Sequence, residues 1–165
     1  MRIHDDHMYH GAALIQIAEH PQFTAINALT VRKQTVPSAY KINDHVAVYL
    51  KYAVEEREPY GEYVFTFTSE QLLAIRAIAS GHDPTLIVLV CVAAREICTI
   101  TADELATMIA ERQKAFGGQE DQYTLLVTAD KGKSLRVYFN RPGRKGRALK
   151  KRVIARNAFP GSVFD

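Results

Sequence analysis

Cysteine is scarce in this 165-residue chain, and long hydrophobic runs are missing altogether. The two cysteines, Cys91 and Cys98, stand in apolar, strand-like surroundings. A free thiol there behaves as a small hydrophobe, so no disulfide framework is indicated and a reducing cytoplasm is the expected compartment. The longest apolar run, Leu86 to Ala94, is far short of the roughly 20 residues that a spanning helix needs. The first residues also lack the basic-then-apolar layout of a secretory signal, so no membrane partner is expected. There is no zinc-finger spacing, nucleophile elbow or dinucleotide fingerprint, and Gly117-Gly118 lacks the lysine and preceding strand of a phosphate loop. Internal repeats and low-complexity tracts are absent as well.

What is present is the composition of one ordinary globular domain, 47% hydrophobic and 24% charged. A chain of about 150 residues can bury roughly two-thirds of its unfolded surface, enough for a core without metals or disulfides. The net charge of +3 hides an asymmetry. Residues 1–140 carry 13 Lys/Arg against 17 Asp/Glu, whereas residues 141–165 carry eight Lys/Arg against Asp165 alone. The expected organisation is a loose N-terminus over 1–10, an α/β domain over 11–140 and a basic C-terminal extension over 141–165. Clustered cations of this kind suit a polyanion, because binding releases its condensed counterions. DNA or RNA is therefore the expected partner, with Arg141, Arg144, Lys145, Arg147, Lys150, Lys151 and Arg152 docking on phosphate oxygens. A helix over 147–156 would set Arg147, Lys150 and Lys151 on one face and Leu149, Val153 and Ile154 on another. The alternative is a solubilising face, or one that meets acidic groups of a partner or of the chain itself.

Periodicity gives the elements. A helix is expected over Gly11–His20, where Leu14, Ile15, Ile17 and Ala18 recur at helical spacing ahead of Pro21. Strands follow at Phe23–Val31, Ala39–Asn43 and His45–Val54, then at Tyr63–Thr68. Ser69 as N-cap and Gly81 as terminator frame a helix over residues 70–80. Thr85–Val92 reads as a strand buried on both faces, with Glu96–Ile100 as its partner. Thr101, with Asp103 and Glu104 behind it, opens a helix to about Lys114 with Leu105, Met108 and Ile109 inward. Tyr123–Thr128 and Leu135–Phe139 flank a turn at Asp130–Lys133. The fold class is thus α/β, a single domain with a mixed sheet of about six to eight strands flanked by about three helices.

The order helix, three strands, strand-helix and apolar strand, with Lys51 on the third strand, resembles the restriction-endonuclease-like, or PD-(D/E)XK, nuclease superfamily over about residues 10–100. The resemblance implies a helix glutamate at Glu19, a metal-holding Asp44 and an acid-x-lysine triplet at Tyr49-Leu50-Lys51. In that superfamily the carboxylates hold Mg²⁺, which activates water for attack on a phosphodiester. Here Tyr49 stands where the acid belongs, and a phenol does not supply a charged ligand at neutral pH. The resemblance therefore implies a nuclease-like nucleic-acid-binding domain without efficient catalysis. The alternatives are a Mg²⁺-dependent phosphodiester-cleaving enzyme using Asp44 and Lys51, with a further acid from Glu55, Glu56, Glu58 or Glu62, or a homodimeric interaction module with no nucleic-acid role. Each residue also has a plainer reading: Glu19 as a solvated helix end, Asp44 as a turn former and Lys51 as a snorkelling strand lysine.

His4, His7 and His10 would line one helix face as potential metal ligands, or simply share a terminus. His20, His45 and His82 form no triad with either cysteine. Tyr40, Tyr49, Tyr52, Tyr60, Tyr63, Phe65 and Phe67 fit a core or a cross-strand ladder by their spacing, with base stacking as the other use.

Overall fold

A computed structural model describes residues 1–165. In chain order the elements are α1 (Asp5–Ala18), β1 (Ile26–Val31), β2 (Gln34–Ile42), β3 (Val46–Ala53), β4 (Tyr63–Thr68), α2 (Ser69–Ala79), β5 (Thr85–Cys91), β6 (Glu96–Thr101), α3 (Ala102–Phe116), β7 (Gln122–Thr128), β8 (Leu135–Tyr138), β9 (Asn140–Arg141), β10 (Arg144–Ala148) and β11 (Arg152–Ile154), closed by a 3₁₀ turn at Gly161–Val163. The class is α/β. The strands divide into a mixed five-stranded sheet, β1-β2-β3-β5-β6, an antiparallel four-stranded sheet, β11-β8-β7-β4, and the β10-β9 ribbon.

The division follows from connectivity. β1, β2 and β3 form an antiparallel meander, but β5 runs parallel to β3, with Leu50 opposite Val88. A parallel pair needs a long crossover, and β4 with α2 supplies it. β4 is thereby lifted off the first sheet and pairs with β7, setting Phe65 opposite Leu125 and Phe67 opposite Tyr123. β5 is buried along its whole length because both faces of the mixed sheet are covered. On one face Val48, Leu50, Leu86 and Val88 meet Ala13 and Ile17 of α1, together with Phe159 and Val163. On the other, Tyr49, Ile87 and Leu89 share a larger core with Phe65, Phe67, Leu125 and Val137 of the second sheet and with Ile75, Ile78, Leu105 and Met108 of the helices.

Local chemistry sets the helix ends. The Thr101 hydroxyl accepts from the Glu104 N–H, the Glu104 carboxylate accepts from the Thr101 N–H, and Gly117 closes α3 at φ 87°. In α2 the cap is Thr68, one residue earlier than expected, with Gln71 as its reciprocal partner. Burial pushes both thiols up, Cys98 to about 12, so neither is a nucleophile at neutral pH.

Two expectations about the termini are corrected. The first ten residues are not loose: α1 begins at Asp5, because Tyr9 and His10 have Tyr52 to pack against. Residues 141–165 are not an extension, nor is 147–156 helical. β11 pairs with β8 and the last residues bury Phe159 and Val163, since an edge strand and an uncovered sheet face both offer them partners.

His10 is buried, with its Nε2 unpartnered, and burial lowers its pKa, against Asp6, which raises it, and alongside Lys51, which lowers it. A histidine kept neutral in the native state destabilises the fold once the unfolded chain takes up a proton, so stability falls as pH drops through about 6.5. Urea unfolding at pH 7.5 and pH 5.5 is expected to show a smaller loss for His10→Gln than for the wild type. Equal losses would remove His10 as the cause.

Candidate nucleic-acid interface

The outer face of the four-stranded sheet carries the cationic surface. Along β4 and β7, Phe65, Phe67, Leu125 and Val127 point into the core, which leaves Val64, Thr66, Thr124 and Leu126 on the other side. Leu126 is covered and Thr66 and Thr124 bond to each other across the strands. Three elements wall this face. The 55–62 loop is pinched shut by the Arg57 N–H donating to the Glu62 carbonyl. The end of α3 contributes Arg112. The β9–β10 hairpin brings Arg141, Arg144 and Lys145 over the top, turning through Gly143 at φ 69°.

Together they enclose a cleft of about 880 Å³ whose rim holds Arg57, Arg141, Arg144 and Lys145. Arg112 is structural: its guanidinium donates to both Glu120 carboxylate oxygens at 2.7 and 2.8 Å and to the Asn140 carbonyl at 2.5 Å. These bonds hold Glu120 below the usual carboxylate range and raise Arg112. Glu62, buried on the floor, accepts from the Tyr138 hydroxyl, and burial followed by this bond raises the Tyr138 pKa. Of the carboxylates lining the cleft, Glu58 alone is unengaged, whereas none of the four rim cations forms an ion pair. The Asn140 amide oxygen is buried there without a partner. A smaller hollow of about 270 Å³ adjoins the cleft, sharing Tyr60 and Glu62 with it, and is lined by Lys133, Arg136 and Lys151.

The basic segment is thus sorted into different tasks. Arg141, Arg144 and Lys145 reach the cleft, and Lys151 lies over the Tyr138 ring at 4.8 Å beside the smaller hollow. Arg147 and Lys150 are exposed but line neither. Arg152 is instead paired with Glu111 at 3.4 Å, and Arg156 with Glu96 at 2.8 Å and with two turn carbonyls, those of Lys133 and Asp130.

The residues suggested for catalysis are not brought together. Glu19 caps the C-terminus of α1 in solvent, and Asp44 is exposed in the β2–β3 turn. Lys51 lies near the far end of β3, which begins two residues after Asp44, and the five strand steps from Val46 to Lys51 alone span about 16 Å at ~3.3 Å per residue. Its ammonium donates to Gln71 Oε1 at 3.1 Å and sits over the Phe67 ring at 4.9 Å, and burial lowers its pKa. Gln71 Oε1 also accepts from the Thr68 N–H, so Lys51 ties β3 to the start of α2. No group of three His, Cys, Asp or Glu side chains is disposed to hold a metal, and of the four further acids Glu55, Glu56 and Glu58 are exposed while Glu62 is buried. The N-terminal histidines are also divided: His7 Nδ1 accepts from the His4 N–H at 3.0 Å, while His10 is buried against Tyr52.

Arg57, Arg112 and Asn140 escape a reading by composition, because they come from the acidic body. Their one trace in the sequence is an arginine inside Glu55-Glu56-Arg57-Glu58, a cation with no helical or strand role. Comparison with family models, with curated proteins and with solved structures finds no match for the chain.

Proposed function

We propose that this protein binds nucleic acid, gripping the phosphate backbone in the cleft between the 55–62 loop and the β9–β10 hairpin, without cleaving it efficiently. The observation that carries this reading is the imbalance at the cleft: four cations free of ion pairs stand round one recess, while Glu120 and Glu62 are engaged within the fold. Clustered cations of this kind neutralise phosphates and release counterions. The element order α1-β1-β2-β3-β4-α2-β5, with a lysine on β3, supports the likeness to the restriction-endonuclease-like superfamily. Mg²⁺-dependent cleavage through Asp44 and Lys51 is the less favoured reading, since a strand's length separates the carboxylate from the ammonium and Tyr49 is buried where the acid belongs.

The test is a titration of fluorescein-labelled oligonucleotides, DNA and RNA, followed by anisotropy from 25 to 300 mM NaCl. With four contacting cations and a slope of ~0.7–0.9 per phosphate, log K is expected to fall against log salt with a slope of about −3. Absent or salt-independent binding overturns the proposal. The open edge of β1 in the mixed sheet would then be the surface to examine for pairing with a second copy.

A further inference from the structure

Between the cleft and the smaller hollow stands Tyr60, an aromatic ring 49% exposed. Large exposed aromatics usually have somewhere to swing, but this one is held. Its hydroxyl donates to the Lys145 carbonyl at 3.5 Å. The tip of its ring rests on Gly146, so closely that a Cβ there would come within 2.5 Å of Cε1 and 2.6 Å of Cζ. Gly146 is at φ 76°, so glycine serves the hairpin twice, by its backbone conformation and by making room for the ring. Cations lie on both sides of Tyr60: Arg57, Arg144 and Lys145 in the cleft, and Lys133, Arg136 and Lys151, which outnumber Asp130, in the hollow. Nearby, the Asn140 amide oxygen lies buried at the cleft without a partner.

We propose that Tyr60 is a stacking platform for an unpaired base and that the ligand is single-stranded nucleic acid, its backbone running from the cleft to the hollow past the ring. This rests on the cationic reading above and adds the class of nucleic acid to it. A base within a duplex has both faces covered by its neighbours and offers none to a protein ring. An unpaired base has a free face, and stacking on a fixed aromatic costs the protein little conformational entropy because the ring is already held. Phosphates on either side of that base fall toward the two groups of cations. Stacking on such a base does not by itself separate DNA from RNA, so both are probed.

The experiment measures anisotropy of labelled dT₁₂, rU₁₂ and a 12-base-pair DNA duplex with the full chain at one salt concentration. It is run on the wild type, Tyr60→Ala, Tyr60→Phe and the double variant Arg144→Glu/Lys145→Glu. The expected result is tighter binding of the single strands than of the duplex, a loss of about 10-fold for single strands in Tyr60→Ala, and recovery of most of that loss in Tyr60→Phe. The salt slope in Tyr60→Ala is expected to stay near that of the wild type, because no cation is removed. Gly146→Ala, which displaces the ring without touching it chemically, is expected to weaken single-strand binding in the same direction. Unchanged single-strand affinity in Tyr60→Ala, with loss in the double variant, overturns the stacking proposal and leaves the cationic reading standing. Wild-type binding to none of the three probes overturns both. A preference for dT₁₂ or for rU₁₂ assigns the sugar.

Discussion

Arg144→Glu/Lys145→Glu is expected to lower nucleic-acid affinity by about 10- to 100-fold at 100 mM salt and to flatten the salt dependence by about two contacts' worth of slope. The magnitude follows from replacing two attractive contacts with two repulsive ones at the mouth of a recess whose own acids are largely engaged. Neither substituted side chain forms a hydrogen bond or an ion pair, and the Lys145 carbonyl that Tyr60 contacts is kept, so thermal stability should stay within about 0.5 kcal/mol of the wild type. The informative control is Arg147→Glu/Lys150→Glu, which changes net charge equally at two exposed positions outside the cleft. If binding depends on total charge alone, the two double variants will behave alike. If the cleft is the interface, the control should lose no more than about 3-fold, the long-range share of the field. Equal losses, measured side by side by anisotropy, would remove the cleft from the account.

Phe67→Ala is expected to cost about 3–5 kcal/mol, a large part of the ~5–15 kcal/mol that holds a domain of this size together. The ring has no exposed surface and joins the two sheets where β4 faces the mixed sheet. It also lies beneath the Lys51 ammonium. Truncation therefore leaves a cavity and strips a half-buried cation of one of its two partners, the other being Gln71. Urea unfolding followed by circular dichroism reads this directly. Leu73→Ala, at an exposed apolar position on α2, should change stability by less than about 0.5 kcal/mol. A Phe67→Ala midpoint close to that of the wild type would show that the two sheets are not held together at this point.

Much of this architecture is legible in the sequence, and the reasons are local. The continuous apolar stretch of β5, the alternation of β3 and β4, and the Thr101/Glu104 cap with Gly117 closing α3 each carry their signal within a dozen residues. The turn at Asp130–Lys133 does too, with Gly132 at φ 75°. What the sequence hides depends on distant partners. β4 alternates as well for one sheet as for another, and only its pairing with β7, some 60 residues on, decides which. Lys51 looks like half of a catalytic pair until the β2–β3 turn is seen to hold Asp44 at the opposite end of the strand. The basic segment reads as a detached arm because β10, Arg144–Ala148, has no apolar alternation to advertise a strand. Its conformation comes from β9 and from the fit of Tyr60 against Gly146. The cleft is legible only in halves: its hairpin cations stand out by composition, whereas Arg57 and Asn140 are ordinary until the fold sets them opposite.

The way Arg152 and Arg156 are tied into the fold has a consequence for proteolysis. The last 25 residues are the richest part of the chain in sites for trypsin, yet a protease needs several residues of extended, unpaired backbone to seat a scissile bond. Cutting after Arg152 requires β11 to peel away from β8, and cutting after Arg156 requires a guanidinium to leave Glu96 and two turn carbonyls. Digestion at those two sites should therefore follow the opening equilibrium of the fold, rising with urea in step with unfolding. A native chain nicked there at once would show that its most trypsin-sensitive stretch is not secured by these bonds.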